Sequence, residues 1–214
     1  MKSNIIKAAM GLTLSLAAFR ASAQKTYTEG TITYTVKTQM GDVEQKVAFR
    51  GDSSCSTSQY GPAQVKLISN NKGTYFAVLV DVPVASIKKA AVLTPDEIDQ
   101  TTAAAPKFTF TPTTETKQIN GFNCKKVTAK DSKSGNTYDA WVTNDISTPS
   151  TMITKYFDGI GGFPIQFTAI QQGQAVNMEL KSISGDKVPA GTFGIPAGYD
   201  RITLEELNSM RGGR

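Results

Sequence analysis

In INGFNCKK, residues 119–126, a cysteine stands beside two lysines. Nearby positive charge favours the thiolate, so Cys124 has the local setting of a nucleophile. A catalytic thiol also needs a base, and the chain contains no histidine. That absence removes Ser-His-Asp and Cys-His catalysis, together with every histidine-ligated metal site. Cys55 is the only other cysteine, which excludes a thiolate cage, and no loop has the acidic spacing of an EF-hand. The acid pairs Asp96/Glu97 and Glu205/Glu206 follow Thr94 and Thr203 at capping distance, where they complement helix dipoles. Lys88-Lys89 and Lys125-Lys126 read as solvated faces. The residue inventory therefore points to binding rather than catalysis, with no cofactor and no metal, and the chain is read as not an enzyme.

The compartment follows from the first residues, MKSNIIKAAMGLTLSLAAFRASAQ. Lys2 and Lys7 precede a short apolar run, Ala8 to Phe19, and Ala21-Ser22-Ala23 supplies the small-x-small pattern of a cleavage site before Gln24. This predicts a secretory signal peptide over residues 1–23, too short an apolar run for a membrane span, and a periplasmic or secreted protein. Its removal takes Lys2, Lys7 and Arg20 and no acid, so 23 bases against 18 acids become 20 against 18, a net of +2. A nearly neutral chain with interspersed charge has no electrostatic footprint for nucleic acid. The rest is expected to form a single β-rich domain over 24–210, with a disordered tail at 211–214.

Period-two alternation is the strongest structural signal. It places Ile32, Tyr34 and Val36 on one face, then Val47 and Phe49, Val65 and Leu67, and Phe76, Val78, Val80 and Val82. Phe108 and Phe110, Tyr138, Ala140 and Val142, Phe163 to Ala169, and Val176, Met178 and Leu180 repeat it. Turn signals separate these runs at Gly41-Asp42, Asn71-Lys72-Gly73, Ser134-Gly135-Asn136 and Gln172-Gly173. The pattern predicts eight to ten half-buried antiparallel strands in one large curved sheet. Helices are few: Thr94-Pro95 with Glu97 predicts one over about 95–104, and Thr203 with Glu206 a short one near the C-terminus. PSTMITKYFDGIGG is the site of a third.

A wide sheet with so few helices either fills its own interior or leaves a cavity for an apolar ligand, a lipid or a lipidated protein. Under the cavity reading the lining residues are Phe76, Val78 and Val80, Phe163 and Phe167, and Met178. Met152, Tyr156 and Phe157 would join them from a lid over Asp145 to Gly162, the longest run without alternation. Trp141, the only tryptophan, falls opposite Tyr138, Ala140 and Val142, and either packs or marks the cavity's mouth. A solid core with an envelope partner is the alternative.

Five stretches in order, EGTITYTV, INGFNCKKVTA, YDAWVTNDI, GGFPIQF and FGIPAGYDRI, carry a resemblance over nearly all of the mature chain. They resemble a bacterial exported family described as a domain of unknown function, of the 4412 type and related to the GLPGLI family. The resemblance implies a fold similar to periplasmic lipoprotein carriers, an open antiparallel half-barrel with helices across its mouth, and brings no catalytic residues. Export also makes a Cys55–Cys124 disulfide chemically accessible. Closing a loop of about 70 residues would stabilise by about 4 kcal/mol on the chain-entropy model. Bridge and free thiols both stay open, because spacing along the chain does not set the distance between two strands.

Overall fold

The computed structural model describes residues 24–38, 41–171 and 173–212; the expected signal peptide lies outside the described residues, as do residues 213–214 of the expected tail. The first meander runs through β2 (Glu29–Thr38), β3 (Gly41–Arg50), β4 (Ser53–Tyr60), β5 (Ala63–Asn70), β6 (Phe76–Val82) and β7 (Ile87–Val92), after a short β1 (Lys25–Thr26). Helix α1 (Pro95–Ala104) then leads into β8 (Phe108–Ile119), β9 (Phe122–Asp131), β10 (Thr137–Thr143) and a short β11 (Ile146–Ser147). After a 3-10 turn at Thr154–Phe157 come β12 (Phe163–Gln171), β13 (Gln174–Ser184), β14 (Asp200–Arg201) and α2 (Leu204–Gly212).

The two meanders join where β2 pairs antiparallel with β13, giving a 12-stranded sheet in the order β14-β7-β6-β5-β4-β3-β2-β13-β12-β10-β9-β8. The sheet curves but does not close, because β8 and β14 are its two ends. It is an open half-barrel, and α1 links β7 near one end to β8 at the other. Most neighbours are antiparallel, as alternation predicts; β14 joins β7 in parallel, and β1 pairs with β11 in a separate parallel pair.

Local sequence explains the turns. Asn120 and Gly121 both have positive φ, 51° and 84°, between the facing residues Ile119 and Phe122. A two-residue turn of this hand matches strand twist, so INGFNCKK is a hairpin and the start of a strand. Helix α1 carries the capping box as spaced: Glu97 N–H donates to Thr94 Oγ1, and Thr94 N–H donates to Glu97 Oε2 at 2.7 Å. Thr203 and Glu206 make the same pair of bonds at α2.

The sheet is wider than the alternation implied, because β4 hides in the pattern SSCSTSQY. Its serines at 54, 56 and 58 are buried on one face and Cys55 on the other. A strand covered on both sides by neighbours takes small residues and loses the apolar-polar rhythm. The third helix is only the 3-10 turn, and α2 runs on to Gly212, into the segment read as tail.

The inner face carries the main core: Ile32, Tyr34, Val47, Phe49, Ile165, Phe167, Met178 and Leu180 are almost fully buried in one cluster. The 145–162 segment is a plug in it and not a loose cover, for Met152, Ile153, Phe157 and Ile160 are buried in the same cluster. Its anchor is the Met152 N–H, which donates to Ser54 Oγ at 3.2 Å. On the outer face a separate cluster of Cys55, Ile68, Ala77, Leu79 and Ala90 is covered by Phe193, Ile195 and Tyr199. The chain thus straps the outside of β4–β7, adds β14 to the edge, and returns inside. There Leu207 of α2 packs with Ile98 of α1 on Val78, Ala91 and Leu93.

The cysteine bridge is not formed. Cys55 and Cys124 are both free and buried, one in the outer cluster and the other in the inner core. Their side chains are held by different apolar layers, which is why the expected bridge does not close.

Candidate functional site

Between the inner sheet face, the plug and the start of β8 lies a mostly apolar cavity of about 170 Å³. Phe76 and Leu67 form one wall, Met178, Ala169 and Ile170 another, and Met152, Ile153, Tyr156 and Phe157 the plug side. Thr101, Pro106 and Phe108 border it from the α1–β8 connection. Burial holds the Tyr156 hydroxyl above the usual phenol range, so it stays protonated. Gln45 and Gln171 bring their amides to the lining, beside the Thr101 hydroxyl. Gln171 Nε2 donates to Gln45 Oε1 at 3.0 Å, and Gln45 Nε2 donates to Ser56 Oγ at 2.7 Å. Ser56 of β4 is thus the base of a hydrogen-bonded chain that ends at the cavity.

Five of the expected lining residues, Phe76, Met152, Tyr156, Phe157 and Met178, are brought together here. Val78 and Val80 are not, because α1 and α2 cover that part of the sheet. Phe163 is buried in the core and borders a separate polar hollow of about 320 Å³ under the 144–164 loop. Gln45 was missed by sequence reasoning, yet it left a signal: it interrupts the inward phase of Val43, Val47 and Phe49 with a polar side chain.

Phe167 and Trp141 belong to another hollow, open to the outer face and about 420 Å³ in volume. Strands β10 and β12 pair only at Trp141–Gln166, Val142–Pro164 and Thr143–Phe163, with a register shift after Trp141. Beyond these pairs the strands part, and the hollow lies in the split. Trp141 is half-buried on its rim, with Lys117 Nζ 4.0 Å from the ring centroid. Trp141 therefore does not mark the mouth of the inner cavity. The wall between the hollows is aromatic: Phe157 meets Phe167 edge-on at 4.7 Å, and Tyr34 meets Phe167 edge-on at 5.4 Å. The Tyr34 hydroxyl is buried without a hydrogen-bond partner among the described residues, and burial raises its pKa.

The thiol that opened the question is quiet. Burial pushes Cys124 up to about 11, and raises Cys55 as well, the reverse of an activated nucleophile. Among the described residues no group of three or more acids or cysteines is placed to hold a metal, and no helix is long and apolar enough to cross a membrane.

Fold and cavities together define an open antiparallel half-barrel with an apolar hollow on its inner face. The pattern of the domain of unknown function DUF4412 matches residues 29–199, and the chain belongs to that family. No curated protein sequence matches it. Among solved structures it is similar to an uncharacterized conserved protein from Thermus thermophilus, with a TM-score of 0.52 at 6% identity, covering 83% of this chain and 91% of that one. It is also similar to PNGF-II, with a TM-score of 0.48 at 18% identity, and spans 33% of that chain while 86% of its own length is covered.

Proposed function

We propose that this is an exported, non-enzymatic protein that holds an apolar group between its curved sheet and the plug, in the manner of lipoprotein carriers. The cavity lined by Phe76, Met152, Tyr156, Phe157 and Met178 carries the reading. Size limits what it takes. A dry cavity of about 150 Å³ accepts a benzene-sized molecule, and pockets for whole drug-sized ligands run to about 300–1,000 Å³. At about 170 Å³ this one fits an aromatic ring or the end of an acyl chain, not an entire lipid. Benzene added to the mature protein should raise its melting temperature in proportion to the logarithm of concentration. Native mass spectrometry of gently purified protein should find a retained apolar molecule. Absence of both effects would sink the reading.

A second reading, an envelope interaction protein, draws on β8, which among the described residues pairs only with β9 and leaves its other edge open to a partner strand. Crosslinking in cells that captures one protein on β8, with no co-purifying lipid, would favour it.

A further inference from the structure

We propose that the outer hollow is the polar end of the same site, and that the ligand is a single-chain amphiphile with a small uncharged head. The inference rests on the reading above and adds a second compartment to it. Where β10 and β12 part, Phe167–Gln171 and Thr137–Ala140 face each other without pairing. Residues of the inner face, Phe167 and Met178, then become the floor of a hollow that opens outward. Met178 lines the inner cavity too, and the Phe157–Phe167 contact at 4.7 Å is the rest of the partition. One or two side chains thus separate an apolar chamber of about 170 Å³ from a mixed one of about 420 Å³ with a polar rim. Together they reach the size range of ligand sites, which the inner chamber alone does not.

The outer rim sets the class of head. Its acids are already matched: Glu179 lies 3.6 Å from Lys37, and Asp139 lies 3.0 Å from Lys126. Lys117 is spent on the Trp141 ring and on Gln166 Oε1, 3.3 Å away. An ionic head would have to draw a charged side chain out of one of these contacts, whereas a neutral head leaves them all in place. What remains is a neutral set of amide and hydroxyl groups, Gln166, Thr168 and Asn177, with the facing backbone edges of the split. Such groups suit a hydroxylated or amide head, while the Trp141 ring borders the transition from polar rim to apolar floor.

Because Trp141 is the only tryptophan, its fluorescence reports on this hollow alone. The test titrates the mature protein with octyl glucoside below its micelle concentration, with octanoate, and with benzene followed by melting temperature. Octyl glucoside should change Trp141 emission and bind about tenfold more tightly than octanoate. Thr168→Arg, which fills the hollow, should abolish the emission change and leave the benzene effect intact. A benzene effect with no response to octyl glucoside would overturn the two-chamber site and leave the inner cavity standing. Equal binding of octanoate would overturn the neutral head. Loss of both responses in the unsubstituted protein would remove the inner cavity as well.

Discussion

Strands β4–β7 are covered on both faces, by the strap outside and by the helices and plug inside, whereas β10, β12 and β13 have apolar cover only within. The difference shows in the ladder. From β4 to β7 the register continues without a break, with small residues such as Ala77, Ala90 and Ala91 wholly buried. Between β10 and β12 pairing stops after three partners, and the outer hollow lies in that split. Double cover holds strands in one register, because any shift would expose two apolar faces at once; single cover lets them part.

The contrast can be broken by mutation. Leu79→Ala, in the doubly covered half, should cost about 2–5 kcal/mol in urea unfolding and leave octyl glucoside binding of the folded protein unchanged. Asn177→Ala, at the split, should cost under about 1 kcal/mol yet weaken that binding. A reversal of these two stability effects would remove the distinction between the halves.

The cysteines sharpen it, one in each half. Cys124, raised to about 11, should hold roughly a hundredfold less thiolate near neutral pH than an ordinary thiol and react with alkylating agents correspondingly slowly. Mass mapping without reductant should find both thiols free. Gly30 sits at the β2–β13 seam, where an added Cβ would lie 2.0 Å from the Ser184 carbonyl oxygen. Gly30→Ala should cost about 1–3 kcal/mol or more, and should loosen the joint between the meanders, visible as lost amide protection there.

Smaller effects are expected at the caps and turns. Thr94→Ala should remove about 1 kcal/mol by uncapping α1. In the turn after β9, the Lys133 N–H and Ser134 Oγ donate to the Asp131 carboxylate, at 3.0 and 2.8 Å, and lower its pKa. A carboxylate lowered on folding stabilises above its unfolded value of about 4, and that contribution fades as pH falls through the lower folded value. Acid titration of stability should therefore be slightly steeper in the unsubstituted protein than in Asp131→Asn.

Much of this was legible in the residues because it is local. Alternation identified the inward phase of β2, β3, β6, β12 and β13, the threonine–glutamate spacing placed both helices, and Asn120-Gly121 set the hairpin that brings Cys124 into a strand. Phe76, Met152, Tyr156, Phe157 and Met178 were readable as inward, and so as candidates for one lining. Serine-rich β4 was not, since burial on both faces erases the rhythm that marks a strand. Nor was the strap, whose Phe193, Ile195 and Tyr199 lie among glycines and a proline and gain meaning only against the outer face of β4–β7.

The sequence by itself thus determined the strand faces, the helix caps, the absence of histidine chemistry and the family motifs. Tertiary structure alone decided that β2 pairs with β13, that the two thiols lie in different layers, and that β10 parts from β12. Each of these depends on which distant strands meet, which is set by packing across the whole sheet; side-chain periodicity records only which way a residue faces along its own strand.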